Sequence, residues 1–427
     1  MSAGQPHSAR AIEGVPRVAL FADSFLEVNG LALTCRQLHE YARRRGYPIV
    51  TFHAGPDTRR LVDGTAALSQ LACSRLSIPL DVGLYFDPLF LRHYRLVRDQ
   101  LAEFRPDVVH YTAPSHCGVL GAIAAKRFGI ARVASWHTNI HEFGSLRLAS
   151  VLSRVPERVR QPLCRRLQDA SLAGLAAFYR TARLVLAPNE ELASLLAART
   201  RKPTRIMGRG VDTELFSPHR RTRTDDGTFR IGFVGRLSAE KNVRLLRTVE
   251  RALLDAGHRR FTFVIVGQGA ERPWLEAHMQ HAEFPGLLEG LALASAYANL
   301  DLFVFPSHSD TFGNVVQEAH ASGVPAIVTN EGGPRFLVAD GVDGFVARDD
   351  RHFVECVLKA MAPETNLPVM RLSARRRAED ASWDRVFDTL YQNYAACLSS
   401  RRTRPSIAGA SPDARDAAAR RDRATDR

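Results

Sequence analysis

Two acidic residues, Asp310 and Glu318, lie in a stretch that reads PSHSDTFGNVVQEAHASGVP. Asp310 precedes Gly313 in a predicted loop, and Glu318 lies about one turn into a helix predicted to begin near Asn314. The N-terminal amides of such a helix can hold an anion. A carboxylate before it can accept hydrogen bonds from sugar hydroxyls, and one within it can bind a ribose diol. The alternative interpretation is that Asp310 and Glu318 are two solvated surface carboxylates. Their combination with TFGN and ASGVP makes this stretch the most specific motif in the chain.

A pair of cations follows another predicted strand, in the sequence FVGRLSAEKN. Gly235 permits a tight turn where the strand ends, and Arg236 and Lys241 follow it. A guanidinium fork and an ammonium point charge together suit a diphosphate. Lys241 is one of only four lysines in a chain with 54 arginines. A solvated strand–helix loop is the alternative interpretation.

Two weaker candidates lie in the first half of the chain. Gly30 ends the tripeptide Val-Asn-Gly after the first predicted strand, where a glycine lets backbone approach a ligand. A plain turn is the alternative. His137 ends a predicted strand in SWHTNIHEF and could bond to a sugar hydroxyl or assist a departing phosphate; a structural histidine is the alternative. His137 and His141, with Glu142 beside them, could suggest a metal site. No further ligand can be assigned, and the residues do not follow the HExxH order of such motifs.

The helices and strands around these motifs must position them. Short apolar or β-branched runs alternate with helical stretches along the chain. This alternation predicts two doubly wound α/β domains in tandem, whose ligands bind at the carboxyl ends of parallel strands. The predicted strands are Arg17–Ala22, Ile49–His53, Asp107–Thr112, Arg132–His137 and Arg183–Ala187, then Arg230–Gly235, Phe261–Gly267, Leu302–Pro306, Ala326–Thr329 and Gly344–Ala347.

The domain organisation follows from changes in composition along the chain. Both ends are polar and rich in small residues and arginine, which predicts disorder. The last helix has apolar residues at helical spacing, Val386, Leu390 and Tyr394. The predicted divisions are a disordered N-terminus (1–16), a first domain (17–216), a polar linker (217–228), a second domain (229–382), a final helix (383–400) and a disordered tail (401–427).

The net charge limits the classes of partner that the protein is expected to bind. The 427 residues include 58 basic and 45 acidic ones, a net charge of +13, which favours nucleic acid, anionic membrane or phosphorylated small molecules. The arginines are spread along the chain and no nucleic-acid motif is present, so we expect no nucleic-acid partner. Six cysteines without metal spacing indicate reduced thiols, and no signal peptide or membrane-spanning run is predicted. We therefore expect a cytoplasmic protein.

The residues also resemble a known family. FVGRLSAEKN, VIVGQGAERPWLE and LFVFPSHSDTFGNVVQEAHASGVPAIVTNEGGPRFL are similar to glycosyltransferase family 4, whose members are retaining enzymes of the GT-B fold. DSFLEVNGLALTCRQLHEYARRRGY and MGRGVDTELFSP are similar to its first domain and inter-domain strand. The resemblance covers residues 17–398. It implies an α/β structure with two facing Rossmann-like domains, a cleft between them and a last helix that crosses back onto the first domain.

The resemblance also implies roles for residues of both domains. Arg236 and Lys241 would bind the donor diphosphate. Asp310 would contact hydroxyls of the transferred sugar, and Glu318 would bind the ribose. His137 would lie near the sugar and is, with Asp310, a candidate catalytic residue. The other implied donor-binding residues are Gly30, Phe312, Gly313, Asn314 and Val315.

Two positions depart from the family pattern. Asp310 replaces the usual Glu, as in a subgroup that includes bacterial α-mannosyltransferases and lipid glycosyltransferases. Arg209 replaces the usual Asn before Gly-Val-Asp, and the sequence offers no account of it. The resemblance implies transfer of a hexosyl group, with mannose from GDP-mannose favoured and a UDP-hexose donor left open. It implies no cofactor and no metal, since cations replace the metal at the diphosphate.

The sequence leaves the acceptor and two rival activities open. Residues 144–180 hold seven arginines, which fits either a peripheral contact with the inner face of an anionic membrane or a solvated helix. We therefore expect a lipid or glycan hydroxyl as acceptor. A nucleotide-sugar epimerase is the nearest rival, although the FGN…E pattern fits it poorly. A nicotinamide oxidoreductase would need a third glycine that VGQG lacks.

Overall fold

The computed structural model describes residues 14–22, 24–27, 29–81, 84–137, 157–224 and 226–399. The predicted disordered ends lie outside the described residues, except for residues 14–16. His141, Glu142 and residues 144–156 of the basic segment lie outside them as well.

The described chain alternates strands and helices. The helices are α1 (Gly30–Arg45), α2 (Tyr94–Phe104), α3 (His116–Phe128), α4 (Glu157–Tyr179), α5 (Glu190–Thr200), α6 (Leu245–Asp255), α7 (Arg272–His278), α8 (Gly290–Ala298), α9 (Asn314–Ala321), α10 (Asp350–Met361), α11 (Leu367–Asp380) and α12 (Trp383–Ser399). The strands are β1 (Val18–Ala22), β2 (Ile49–Gly55), β3 (Arg59–Asp63), β4 (Ala66–Ala72), β5 (Ile78–Asp81), β6 (Leu84–Phe86), β7 (Val108–Tyr111), β8 (Ala131–Ser135), β9 (Leu184–Ala187), β10 (Thr204–Ile206), β11 (Phe229–Val234), β12 (Phe261–Val266), β13 (Ala282–Gly286), β14 (Leu302–Phe305), β15 (Ala326–Thr329) and β16 (Gly344–Ala347).

The first domain is built on an eight-stranded sheet in the order β10-β9-β8-β7-β1-β2-β4-β3. All neighbours are parallel except β3, which pairs antiparallel with β4 at the edge. The central strand β1 is buried at all five positions. A strand buried on both faces reads as a continuous apolar run, as VALFA does, because helices cover both sides of the sheet.

The second domain has a six-stranded parallel sheet in the order β13-β12-β11-β14-β15-β16. In each sheet the chain order reverses beside the first strand of the domain: β1 lies between β2 and β7, and β11 lies between β12 and β14. Ligands of doubly wound sheets bind outside the carboxyl ends of the strands at such points. The predicted pair of doubly wound α/β domains is therefore confirmed, and the loops of Gly30 and Arg236 follow the two switch strands.

All ten predicted strands are present, with ends that differ by two residues or fewer. One difference concerns the site: β8 ends at Ser135, so the prediction of a strand reaching His137 is wrong, and His137 lies in the loop beyond it. The sequence analysis did not predict six of the strands in the described chain, and two of these lack the buried apolar pattern. β3 reads RRLVD and is exposed throughout, and β13 contains a proline. The others missed were β4, β5, β6 and β10.

The last helix, α12, crosses back onto the first domain as predicted. Its apolar face joins the core beneath β1 and α1, where Phe387 and Tyr394 are fully buried. The ring of Phe387 lies 5.4 Å from that of Tyr41 on α1. At the start of this return, Ser382 bridges to Val211, and a Cβ at Gly210 would lie 2.5 Å from the Cα of Trp383. The two chain segments that cross between the domains are therefore packed backbone to backbone.

The segment predicted as a linker packs against the second domain. Pro218–Arg220 forms a turn of 3-10 helix. Arg223 then donates to both carboxylate oxygens of Asp301, at 2.5 and 2.6 Å, and Arg221 donates to the same carboxylate at 3.1 Å. These ion pairs anchor the entry into β11.

Among the described residues, no helix is both long enough and apolar enough to cross a membrane.

Candidate active site

The loop before α9 is shaped by Gly313. Its φ of 101° lies in the left-handed region, where side chains other than glycine are strained. Pro334 packs against it, since a Cβ on Gly313 would lie 3.0 Å from the proline Cγ. This turn buries Phe312 and lets α9 begin at Asn314, as the sequence predicted. Val315 packs, partly buried, against the core of the second domain.

The two principal motifs meet at an ion pair between Lys241 and Asp310. Lys241 ends a 3-10 turn after β11, and its Nζ donates to both carboxylate oxygens of Asp310 at 2.7 Å. The side chains are 13% and 22% exposed, so water screens the pair only partly. The ammonium also lies 5.9 Å from the centre of the Phe305 ring. In this state, the lysine charge is neutralised by the acid.

Arg236 is placed differently from its neighbour Lys241. Its side chain is 71% exposed, and its Nη2 pairs with Glu240 Oε1 at 2.7 Å, one turn along the same loop. The structure therefore gives the two predicted diphosphate cations separate carboxylate partners. The sequence motif alone does not show that Arg236 and Lys241 bind different carboxylates.

Glu318 lies half-buried on α9 and accepts a hydrogen bond of 2.9 Å from the hydroxyl of Tyr297 on α8. Burial raises the pKa of Glu318 to about 7, although the Tyr297 hydrogen bond acts in the opposite direction. A carboxyl group that ionises near neutrality changes between donor and acceptor over the physiological range. Tyr297 was not predicted, because it lies 21 residues earlier in sequence.

His137 is the end of a buried hydrogen-bonded chain. Its Nε2 lies 2.6 Å from Ser135 Oγ, which lies 2.8 Å from His110 Nε2, and His110 Nδ1 lies 2.7 Å from the Tyr394 hydroxyl. Burial lowers the pKa of His137 well below 6.5, and the charge of Arg209 lowers it further. His137 is therefore a neutral imidazole at pH 7, with its orientation fixed by residues that reach α12.

Arg209 is the residue that sequence reasoning named without assigning a role. It lies in the segment after β10, and its guanidinium contacts both domains. Nη2 donates to the carbonyl of His137 and Nη1 to Oδ1 of Asn314, both at 3.4 Å. A Cβ on Gly30 would lie 2.1 Å from Nη1 and 3.1 Å from Nδ2 of Asn314. Gly30, Asn314 and His137 thus converge on one arginine at the floor of the cleft.

Within the described ranges, no group of three or more His, Cys, Asp or Glu side chains could hold a metal ion. The acidic residues of the cleft, Asp310 and Glu318, have Lys241 and Tyr297 as partners.

Two doubly wound domains, joined by an inter-domain segment and a returning helix around a cleft with these acids and cations, define a GT-B glycosyltransferase. Residues 28–215 match the family model of Glycosyltransferase Family 4, and residues 228–362 match that of Glycosyl transferases group 1. The chain belongs to glycosyltransferase family 4, and it is a hexosyltransferase.

Individual relatives cover nearly the whole chain. It is 35% identical to a GDP-mannose-dependent alpha-mannosyltransferase of Mycolicibacterium smegmatis, over 91% of this chain and 99% of that protein. It is 33% identical to a protein of the same description from Mycobacterium tuberculosis, over 91% and 98%. Among solved structures, sucrose-phosphate synthase from Thermosynechococcus elongatus matches with a TM-score of 0.68 at 19% identity, over 90% of this chain and 100% of that one. This last similarity supports the fold.

Proposed function

We propose that this enzyme transfers a mannosyl group from GDP-mannose to a hydroxyl acceptor with retention of configuration. The observation that carries the proposal is the meeting of Lys241, Asp310 and the start of α9 in one cleft. The choice of donor is supported by relatives that match nearly end to end and are described as GDP-mannose-dependent.

Each cleft residue has a part in binding the donor. Lys241 and the first amides of α9 supply positive charge and hydrogen-bond donors for the diphosphate. Asp310, released from Lys241 as the phosphates arrive, accepts hydrogen bonds from the hydroxyls of the mannose. Glu318, positioned by Tyr297, binds the diol of the ribose. Binding therefore exchanges an internal ion pair for contacts with the donor.

The chemical step breaks the bond between C1 of the mannose and the diphosphate oxygen, and the bonding electrons leave with GDP. The transition state is oxocarbenium-like, so negative charge grows on the departing diphosphate and the nearby cations stabilise it. The acceptor oxygen then attacks C1 from the same face, and its proton passes to the leaving phosphate. Neutral His137 would lie beside the sugar, where it could accept or donate a hydrogen bond. No enzymic nucleophile and no metal take part.

A lipid or glycan acceptor at the inner face of an anionic membrane is the second part of this proposal. Arg158 and Arg166 on α4, and Arg180 just after it, are exposed. Together with a net charge of +13, they favour association with an anionic surface. The enzyme would then act in the cytoplasm as a peripheral membrane protein.

The donor is tested by calorimetric titration of the purified protein with GDP, UDP and ADP, in EDTA and then in Mg²⁺. We expect selective binding of GDP that does not require the metal. At 100 times its dissociation constant, GDP should stabilise the protein by about 2.7 kcal/mol. Lys241→Ala should weaken the binding, whereas Lys126→Ala, at an exposed position on α3, is the matched control. Selective binding of UDP, or a strict need for Mg²⁺, would contradict the proposal.

Transfer and stereochemistry are tested on the product. The enzyme is incubated with isotopically labelled GDP-mannose, a membrane lipid extract and a water-soluble glycan extract, and the labelled product is purified. An α-anomeric signal in its NMR spectrum is expected, because the mannose of the donor is itself α-linked. A β-linked product would contradict retention, and a labelled product in the aqueous glycan fraction alone would exclude the lipid acceptor.

A further inference from the structure

Arg209 is a partly buried cation whose contacts do not neutralise it. Its two hydrogen bonds go to uncharged oxygens, the carbonyl of His137 and Oδ1 of Asn314, and both are 3.4 Å long. Its Nε is buried and has no hydrogen-bond partner in the described part of the chain. Buried charges are normally paired, because removing them from water is costly. An incompletely satisfied guanidinium in a cleft therefore indicates an anionic ligand.

The three cations of the candidate site differ in whether a carboxylate already binds them. Lys241 is bound by both oxygens of Asp310 at 2.7 Å, and Arg236 is bound by Glu240 at 2.7 Å and is largely exposed. Arg209 has no carboxylate within ion-pair distance among the residues that the structure describes. Burial lowers the pKa of Arg209 to about 10, against the opposing attraction of Cys35 and Asp310. Of the three, Arg209 has the most to gain from an incoming anion.

The surroundings of Arg209 are shaped for a guanidinium. Gly30 opens α1, and a Cβ there would lie only 2.1 Å from Nη1, so the missing side chain leaves room for the arginine. The ring of Phe312 lies 5.5 Å from Cζ and supports the planar group. Gly30 and the carbonyl of His137 belong to the first domain, whereas Phe312 and Asn314 belong to the second. Arg209 therefore lies between the two domains and contacts both of them.

We propose that Arg209 is the principal cation for the donor's diphosphate, with Arg236 secondary; this rests on the function proposed above. The guanidinium presents two parallel N–H groups that match a pair of phosphate oxygens, a geometry that an ammonium cannot supply. When the bond from C1 to the diphosphate oxygen breaks, the electron pair stays on that oxygen. Arg209 donates hydrogen bonds to the group that gains this charge, which stabilises the leaving group.

The test measures the binding of inorganic pyrophosphate, GDP and guanosine to the full chain and to Arg209→Met. We expect the substitution to weaken pyrophosphate and GDP about ten- to a hundredfold, the range of a charged hydrogen bond, and to leave guanosine unchanged. Arg209→Lys should recover part of the affinity. Arg236→Met should cost less than Arg209→Met, and Arg251→Met, exposed on α6, is the matched control for loss of an arginine.

Thermal unfolding without ligand separates binding from a structural role. Removing a partly buried cation that has no carboxylate partner should leave the melting temperature of Arg209→Met unchanged or raise it. Gly30→Ala keeps the charge but displaces the guanidinium, and it should also weaken pyrophosphate and GDP relative to guanosine. Unchanged pyrophosphate affinity in Arg209→Met would overturn the inference, as would a lowered melting temperature with unchanged nucleotide binding.

The same panel distinguishes this inference from the proposed function. If the wild-type protein prefers UDP, the GDP-mannose proposal fails, and UDP against uridine replaces GDP against guanosine in the Arg209→Met comparison. A diphosphate-specific loss there still supports the inference. A wild-type protein that binds neither pyrophosphate nor any nucleoside diphosphate would overturn both.

Discussion

Glu318 offers a test of the site that needs no substrate. The carboxyl group is half-buried on α9, accepts a hydrogen bond from Tyr297 and has a pKa raised by burial to about 7. Glu318→Gln keeps the shape of the side chain and an oxygen that can accept from Tyr297, but it removes the ionisation. We therefore expect the variant to be more stable than the wild type above neutral pH.

The magnitude follows from the ionisation of Glu318 in the folded and unfolded chain. The group ionises near pH 4.5 when unfolded and near 7 when folded. Below pH 4.5 it is protonated in both states and costs nothing. As the pH rises from 4.5 to 7, the unfolded chain ionises while the folded chain stays protonated, and the wild type loses about 3 kcal/mol of unfolding free energy. The variant carries no such loss, so the difference between them should grow from near zero at pH 4.5 to about 3 kcal/mol at pH 8.

The assay is urea denaturation of both proteins at intervals of half a pH unit from 4.5 to 8.5, followed by the fluorescence of the tryptophans. Glu289→Gln, at an exposed position just before α8, controls for the loss of one negative charge and should show a much smaller dependence. A difference between Glu318→Gln and wild type that stays constant across this range would refute the elevated pKa and the burial on which it depends.

Two further changes test the packing of the site. Lys241→Met should destabilise the protein by about 1–3 kcal/mol by leaving Asp310 without its cation, and adding Asp310→Asn should recover part of the loss; strictly additive urea midpoints would show that the pair is not coupled. Gly267→Ala should cost about 3 kcal/mol or more, because its Cβ would lie 1.9 Å from the carbonyl oxygen of Gly235. Gly257→Ala, also at positive φ but in open space, should cost only about 1–2 kcal/mol, and equal melting temperatures of the two variants would refute the argument.

Most of the buried strands could be predicted, because burial leaves a mark on the sequence, although β4, which reads AALSQLA and is largely buried, was missed. The central strands contain unbroken buried runs, VALFA in β1 and IGFV at the end of β11, because both faces of their sheets are covered. β3 was missed because it is an antiparallel edge strand with every side chain exposed. β13 was missed because AEFPG contains residues that disfavour strands, and only its pairing with β12 holds it in the sheet.

The sequence predicted which residues form the candidate site, but not which of their side chains bind each other. The sequence placed Lys241 and Asp310 after the carboxyl ends of two predicted strands, and the sheet order shows that these strands, β11 and β14, are neighbours. That the two would bind each other, while Arg236 turned to Glu240, depends on side-chain positions that spacing does not encode. The role of Arg209 was likewise hidden, since the sequence shows only an unusual residue and not the glycine that makes room for it.

The series of hydrogen bonds from His137 through Ser135 and His110 could not be predicted from the sequence for another reason. Its far end is Tyr394, which belongs to the last helix and lies 284 residues from His110. No local pattern connects residues so far apart. Only the return of α12 onto the first domain brings them together.

That return has a consequence for the order in which the protein is made. The core beneath β1 and α1 contains Phe387 and Tyr394, so the first domain cannot be completed until the last helix has been synthesised. About 170 residues separate the end of that domain from α12, which corresponds to roughly ten to thirty seconds of translation. During this interval the nascent first domain presents an uncovered apolar face to the cell. We therefore expect a chain released before Trp383 to be a target for chaperones and proteases rather than a half-active enzyme.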